Sequence, residues 1–66
     1  MMLPKLQEFM KRNNISDEEL AVKSLVSVRS IQNAKRCKSI NRNTGKRIAQ
    51  ALKIKIDILE GKINET

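Results

Sequence analysis

Apolar residues recur every three or four positions along most of the chain, which is the spacing of one face of a helix. Leu3, Leu6, Phe9 and Met10 mark a first helix, with Pro4 in its first turn, where a missing N–H is harmless. Asn13-Asn14 ends it, because Asn accepts the left-handed backbone that closes helices. Ser16 and Glu19 have the spacing of a capping box, so a second helix begins at Asp17 with Leu20 and Ala21 facing inward. Asp17 and Glu18 place negative charge at the positive end of that helix dipole. Leu25-Val26-Ser27 breaks the pattern. Ser27 then caps a third helix that buries Ile31 and Ala34 and turns Val28, Arg29, Gln32, Asn33 and Arg36 outward. Cys37 to Asn43 reads as a loop, with Asn41 or Asn43 capping a fourth helix. Ile48, Ala49, Ala51 and Leu52 form the apolar side of the fourth helix, Lys46 and Arg47 stay in water, and Gly45 weakens its first turn.

The end of the chain supports two readings. Ile54-Lys55-Ile56-Asp57-Ile58 alternates with period two, and Glu60-Gly61 can turn it into Lys62-Ile63-Asn64, giving a β-hairpin within residues 52–64. The rival is a short fifth helix from Ile56 to Glu60 with Gly61 as its C-cap. Pattern alone does not choose.

Sixty-six residues make one small domain. With 39% hydrophobic residues and Phe9 as the one aromatic, its core must be aliphatic. No window approaches the ~18 apolar residues of a membrane span, and no signal segment opens the chain. Cys37 has no partner for an internal disulfide. The expectation is a soluble, intracellular, cytoplasmic protein, in which the Asn64-Glu65-Thr66 sequon carries no meaning. With no His and one Cys there is no zinc-ligand set, and no His to activate a Ser or Cys nucleophile. Asp17, Glu18 and Glu19 sit on successive positions, which suits capping and not a carboxylate cage. Neither an enzyme nor a cofactor or small-molecule ligand is expected.

Charge changes the picture. From Leu20 to Ile56 the chain carries ten Lys or Arg and no Asp or Glu. Residues 1–34 hold five basic and four acidic side chains, and residues 35–66 hold nine and three, so nearly all of the net +7 lies in the second half. A lysine-rich solvated face is the plain explanation. An acid-free run of 37 residues exceeds what interspersed surface charge produces and points to a polyanionic partner. Within this run, Ser27-Val28-Arg29-Ser30-Ile31-Gln32-Asn33 offers the small polar and basic side chains that read base edges from a helix in the major groove.

Ile15-Ser16-Asp17-Glu18-Glu19-Leu20-Ala21, then Val26-Ser27, Ile31 and Ile48-Ala49-Gln50-Ala51-Leu52, resemble the Cro and C1-type helix-turn-helix domain of lambdoid phage repressors and small bacterial and plasmid regulators. The likeness runs without gaps from about Leu6 to Leu59. It implies an all-α, lambda-repressor-like fold of five helices, with residues 17–24 as the second and 28–36 as the recognition helix. By the same resemblance Val28, Arg29, Gln32 and Asn33 would contact bases, and Ser27, Lys38, Ser39, Arg42, Asn43 and Lys46 would contact phosphates. The chemistry agrees: Arg29 can fork onto guanine, Gln32 or Asn33 can pair with adenine, and Val28 can pack on a thymine methyl or be half-buried. The implied partner is a palindromic double-stranded DNA operator, bound by a homodimer with half-sites about one helical turn apart. Ile56, Leu59 and Ile63 are candidates for the dimer surface, or for ordinary core.

Four departures from the family pattern involve five positions. Asp17 stands where a phosphate-touching Gln is usual. Leu25 and Cys37 stand where Gly is usual, Leu25 at a roughly 1 kcal/mol conformational cost and Cys37 as a small half-buried side chain. Met10 and Lys35 replace an Arg–Glu pair, with a Met–Lys stem contact expected instead. A protein-interaction module on the same scaffold, such as an antitoxin or antirepressor, is the second reading. RNA is a third, opposed by the lack of aromatics for base stacking.

Overall fold

The computed structural model describes residues 1–62, which form five helices: α1 Leu6–Arg12, α2 Asp17–Ser24, α3 Val28–Lys35, α4 Arg42–Leu52 and α5 Ile56–Glu60. The starts of α2 and α3 follow the expected capping chemistry, whereas the expected Asn side-chain cap of α4 does not form. Ser16 Oγ accepts from the Glu19 N–H at 3.0 Å and Ser27 Oγ accepts from the Ser30 N–H at 3.2 Å. The Glu19 carboxylate pairs with Lys23 at 3.1 Å instead of closing the box. Asn41 and Lys55 stand at the N-caps of α4 and α5 without a side-chain cap bond.

One device ends every helix. Asn14, Leu25, Cys37, Lys53 and Gly61 all have positive φ, between 53° and 81°. The next residue in each case donates its N–H back across the last turn: Ile15 to Met10, Val26 to Ala21, Lys38 to Asn33, Ile54 to Ala49 and Lys62 to Asp57. This closure satisfies carbonyls that a helix end otherwise leaves open, and it normally brings an apolar residue back onto the helix. Ile15, Val26 and Ile54 do this, packing against the core. That burial explains how Leu25 and Lys53 are held where glycine is favoured, against a cost of roughly 1–2 kcal/mol each.

The core is aliphatic, built from Leu3, Leu6, Met10, Leu20, Ala21, Ile31, Ala34, Ile48, Ala49 and Leu59. α2 packs on α3 and α4, α1 meets α3 and α5, and α4 meets α5. Ser24 is the buried polar residue, and its hydroxyl donates to the Leu20 carbonyl at 2.6 Å. The segment before α1 is tied in at both ends: Lys5 N–H donates to Leu59 O at 3.0 Å, and Met1 and Ile40 exchange backbone bonds of 2.8 Å. Met1 lies so close to Gly45 that a Cβ there would strike its sulfur, which accounts for a glycine inside α4.

Several expectations are corrected. No strand occurs among the described residues, so the hairpin gives way to α5, with Gly61 in the left-handed conformation at φ 81°. The alternation of Ile54, Ile56 and Ile58 arises because the chain reverses at Lys53 and starts a new helix, so Ile54 in the connection and Ile56 and Ile58 on α5 together mimic one strand. Leu59 is fully buried and belongs to the core, not to an open surface. Cys37 is exposed and not half-buried, since its left-handed backbone turns it outward. Pro4 lies in a turn before α1 rather than inside it. Ile63 and the Asn64-Glu65-Thr66 sequon lie outside the described residues. No helix among those described is long and apolar enough to cross a membrane.

Candidate nucleic-acid interface

α3 presents one face to the core and one to solvent. Ile31 and Ala34 are buried, while Arg29, Gln32 and the C-capping Arg36 are exposed. Asn33 and Val28 are half-buried, and Val28 packs partly against the core, so its outer side alone remains for contact. α3 begins right after a three-residue turn, Leu25-Val26-Ser27, that joins it to α2. Ser27 is exposed, but its hydroxyl is engaged as the cap and lies 3.0 Å from the Ser30 hydroxyl. Ser30 therefore shares the first turn of this face, a role that the sequence reading left unassigned.

The loop after α3 continues the same chemistry. Lys38 and Ser39 are exposed, and the Met1–Ile40 backbone pair anchors the segment that carries them. α4 then opens with exposed Arg42 and Asn43, followed one turn later by exposed Lys46. With no side-chain cap from Asn41, the first-turn N–H groups of α4 are left for solvent or an anion. All six phosphate candidates, Ser27, Lys38, Ser39, Arg42, Asn43 and Lys46, are thus exposed.

Ion pairing separates this region from the rest. Among the described residues, the pairs are Lys5–Glu8, Lys23–Glu19, Lys35–Asp17 and Lys62–Glu60. Arg29, Arg36, Lys38, Arg42, Lys46, Lys53 and Lys55 have no carboxylate partner among them. Apart from Lys23 and Lys35, which pair with Glu19 and Asp17, the cations of the acid-free run make no ion pair among the described residues. The region is bounded at one side by a cleft where Arg42 and Lys46 meet Asp57 and Glu60 of α5.

Two contacts lay beyond the sequence. Arg47 Nη1 donates to the Leu25 carbonyl at 3.4 Å, joining α4 to the turn before α3. Lys35 Nζ donates to Asp17 Oδ1 at 2.7 Å, joining the end of α3 to the start of α2 and giving Lys35 a charge partner that the expected stem contact with Met10 did not include. Residues 18 positions apart reveal nothing of this by spacing. No protein-family model, curated protein or solved structure matches this chain.

Proposed function

We propose that the protein is a sequence-specific regulator that binds double-stranded DNA, with α2 and α3 acting as a helix-turn-helix and α3 lying in the major groove. The carrying observation is the exposed, acid-free face of α3 flanked by the unpaired cations Lys38, Arg42 and Lys46. Arg29, Gln32 and Asn33, with the open side of Val28, read bases, because their donors and acceptors match guanine and adenine edges. Lys38, Ser39, Arg42, Asn43, Lys46 and the backbone around Ser27 hold phosphates and fix the register. One α3 covers few base pairs, so two protomers bind a palindromic site in the manner of a phage- or plasmid-type repressor. Of the described dimer candidates Ile56 keeps partial exposure, whereas Leu59 is enclosed.

Arg29→Ala and Lys38→Ala separate reading from gripping. On a set of duplexes that differ at single positions, Arg29→Ala should lose about 1–3 kcal/mol on the preferred site and become indifferent at one base pair. Lys38→Ala should weaken every duplex by a similar factor. Equal losses on all sequences for both variants would remove Arg29 from the reading face.

A second reading is a protein-interaction module, favoured by two apolar side chains, Val22 and Leu25, that are 76% and 79% exposed at the end of α2. It predicts that Leu25→Ser and Val22→Ser abolish partner capture and that duplex DNA is not retained at all.

A further inference from the structure

Asp17 is the acid that stands nearest the proposed reading helix. Its carboxylate holds the Lys35 ammonium at 2.7 Å, and both side chains are about a quarter exposed (26% and 27%). Gln7, Asp17, Gln32, Lys35 and Arg36 line one small open cleft, so the pair sits beside a base-reading side chain and an unpaired guanidinium. Lys35 is the one basic residue of α3 and its flanks that is neutralised, since Arg29, Arg36 and Lys38 carry no such partner among the described residues.

We infer that the Asp17–Lys35 pair is an electrostatic brake on DNA backbone contact, in which Asp17 stands in for a phosphate on Lys35. The inference rests on the DNA-binding reading. A phosphate passing the end of α3 meets Arg36 and Lys38 freely, but it must compete with a carboxylate for Lys35 and approach the charge of Asp17. Removing that charge leaves one more cation facing DNA and one fewer repulsion. Phosphates carry no sequence information, so the brake acts on every duplex alike. Its consequence is a lower affinity for duplex DNA in general and a shallower salt dependence, with the ratio of operator to non-specific affinity unchanged.

The test is fluorescence anisotropy of a labelled random-sequence duplex, over a salt series, with wild type, Asp17→Asn, Lys35→Met and the double variant. For each bound protomer, Asp17→Asn should tighten binding about five- to tenfold near 0.1 M salt and steepen the log–log salt slope by about 0.9, the signature of one added phosphate. In the double variant both gains should vanish, and Lys35→Met alone should weaken binding because it orphans Asp17. Asp17→Ser repeats the measurement should Asn lower the melting temperature. Unchanged or weaker binding by a folded Asp17 variant overturns the brake, and so does a gain that persists without Lys35. A wild-type protein that ignores duplex DNA even at low salt overturns the DNA-binding reading itself, and the brake with it, whereas the first two outcomes leave that reading standing.

Discussion

Raising the salt from about 50 to about 200 mM should weaken binding of the dimer to DNA by roughly a thousandfold. The number follows from the cations that stand exposed and unpaired beside α3. Of these, the three assigned to phosphates, Lys38, Arg42 and Lys46, give six phosphates for a pair of protomers. Each neutralised phosphate releases condensed counterions and contributes about 0.9 to the slope of log K against log salt. A slope near five is therefore expected from equilibrium titrations at four or five salt concentrations. Charge compensated inside the protein contributes nothing to such a slope, which is why the absence of carboxylates from Leu20 to Ile56 matters more than the net charge. A slope near one would mean that these cations grip something other than a nucleic-acid backbone.

The second large effect is on stability. Ile31→Ala should lower the stability of the domain by about 2–5 kcal/mol, the usual result of truncating a fully enclosed aliphatic side chain. Ile31 is 0% exposed and lies on the inner side of the helix whose outer side carries Arg29 and Gln32. A domain of this size holds only a few kcal/mol in total, at roughly 0.05–0.15 kcal/mol per residue. The loss should move the melting temperature down by about 10–30 °C, at about 4–8 °C per kcal/mol. A duplex at a hundredfold excess over its Kd should restore about 2.7 kcal/mol, because it binds the folded state alone. Circular dichroism melts with and without DNA measure both numbers. A melting temperature within a few degrees of wild type would show that Ile31 is not the keystone beneath α3.

The sequence already spelled out most of this fold, for reasons that can be located. Ser16 and Ser27 are local caps, and their bonds to Glu19 and Ser30 involve residues three apart, which a linear reading can see. Leu20, Ile31 and Ile48 declare the inner faces by spacing alone. The C-terminal segment was ambiguous because a chain reversal at Lys53, a residue without the usual signature of a left-handed turn, sits between Leu52 and Ile54. Leu25 and Cys37 stand out in the sequence as unusual, but whether the backbone accepts positive φ at Leu25 depends on Val26 finding the core. Of the proposed site, the outward residues of α3 were legible from periodicity. The Asp17–Lys35 pair and the Arg47–Leu25 staple were not, since each is created by how two helices cross.

The central claim is that α3 reads duplex DNA, and selection from a random duplex pool at two salt concentrations tests it most directly. Enrichment of a two-fold-symmetric motif with half-sites about 10 base pairs apart is expected, sharper at the higher salt, where backbone grip no longer rescues poor sites. Recovery of the protein on duplexes of arbitrary sequence, or on none at all, would contradict it.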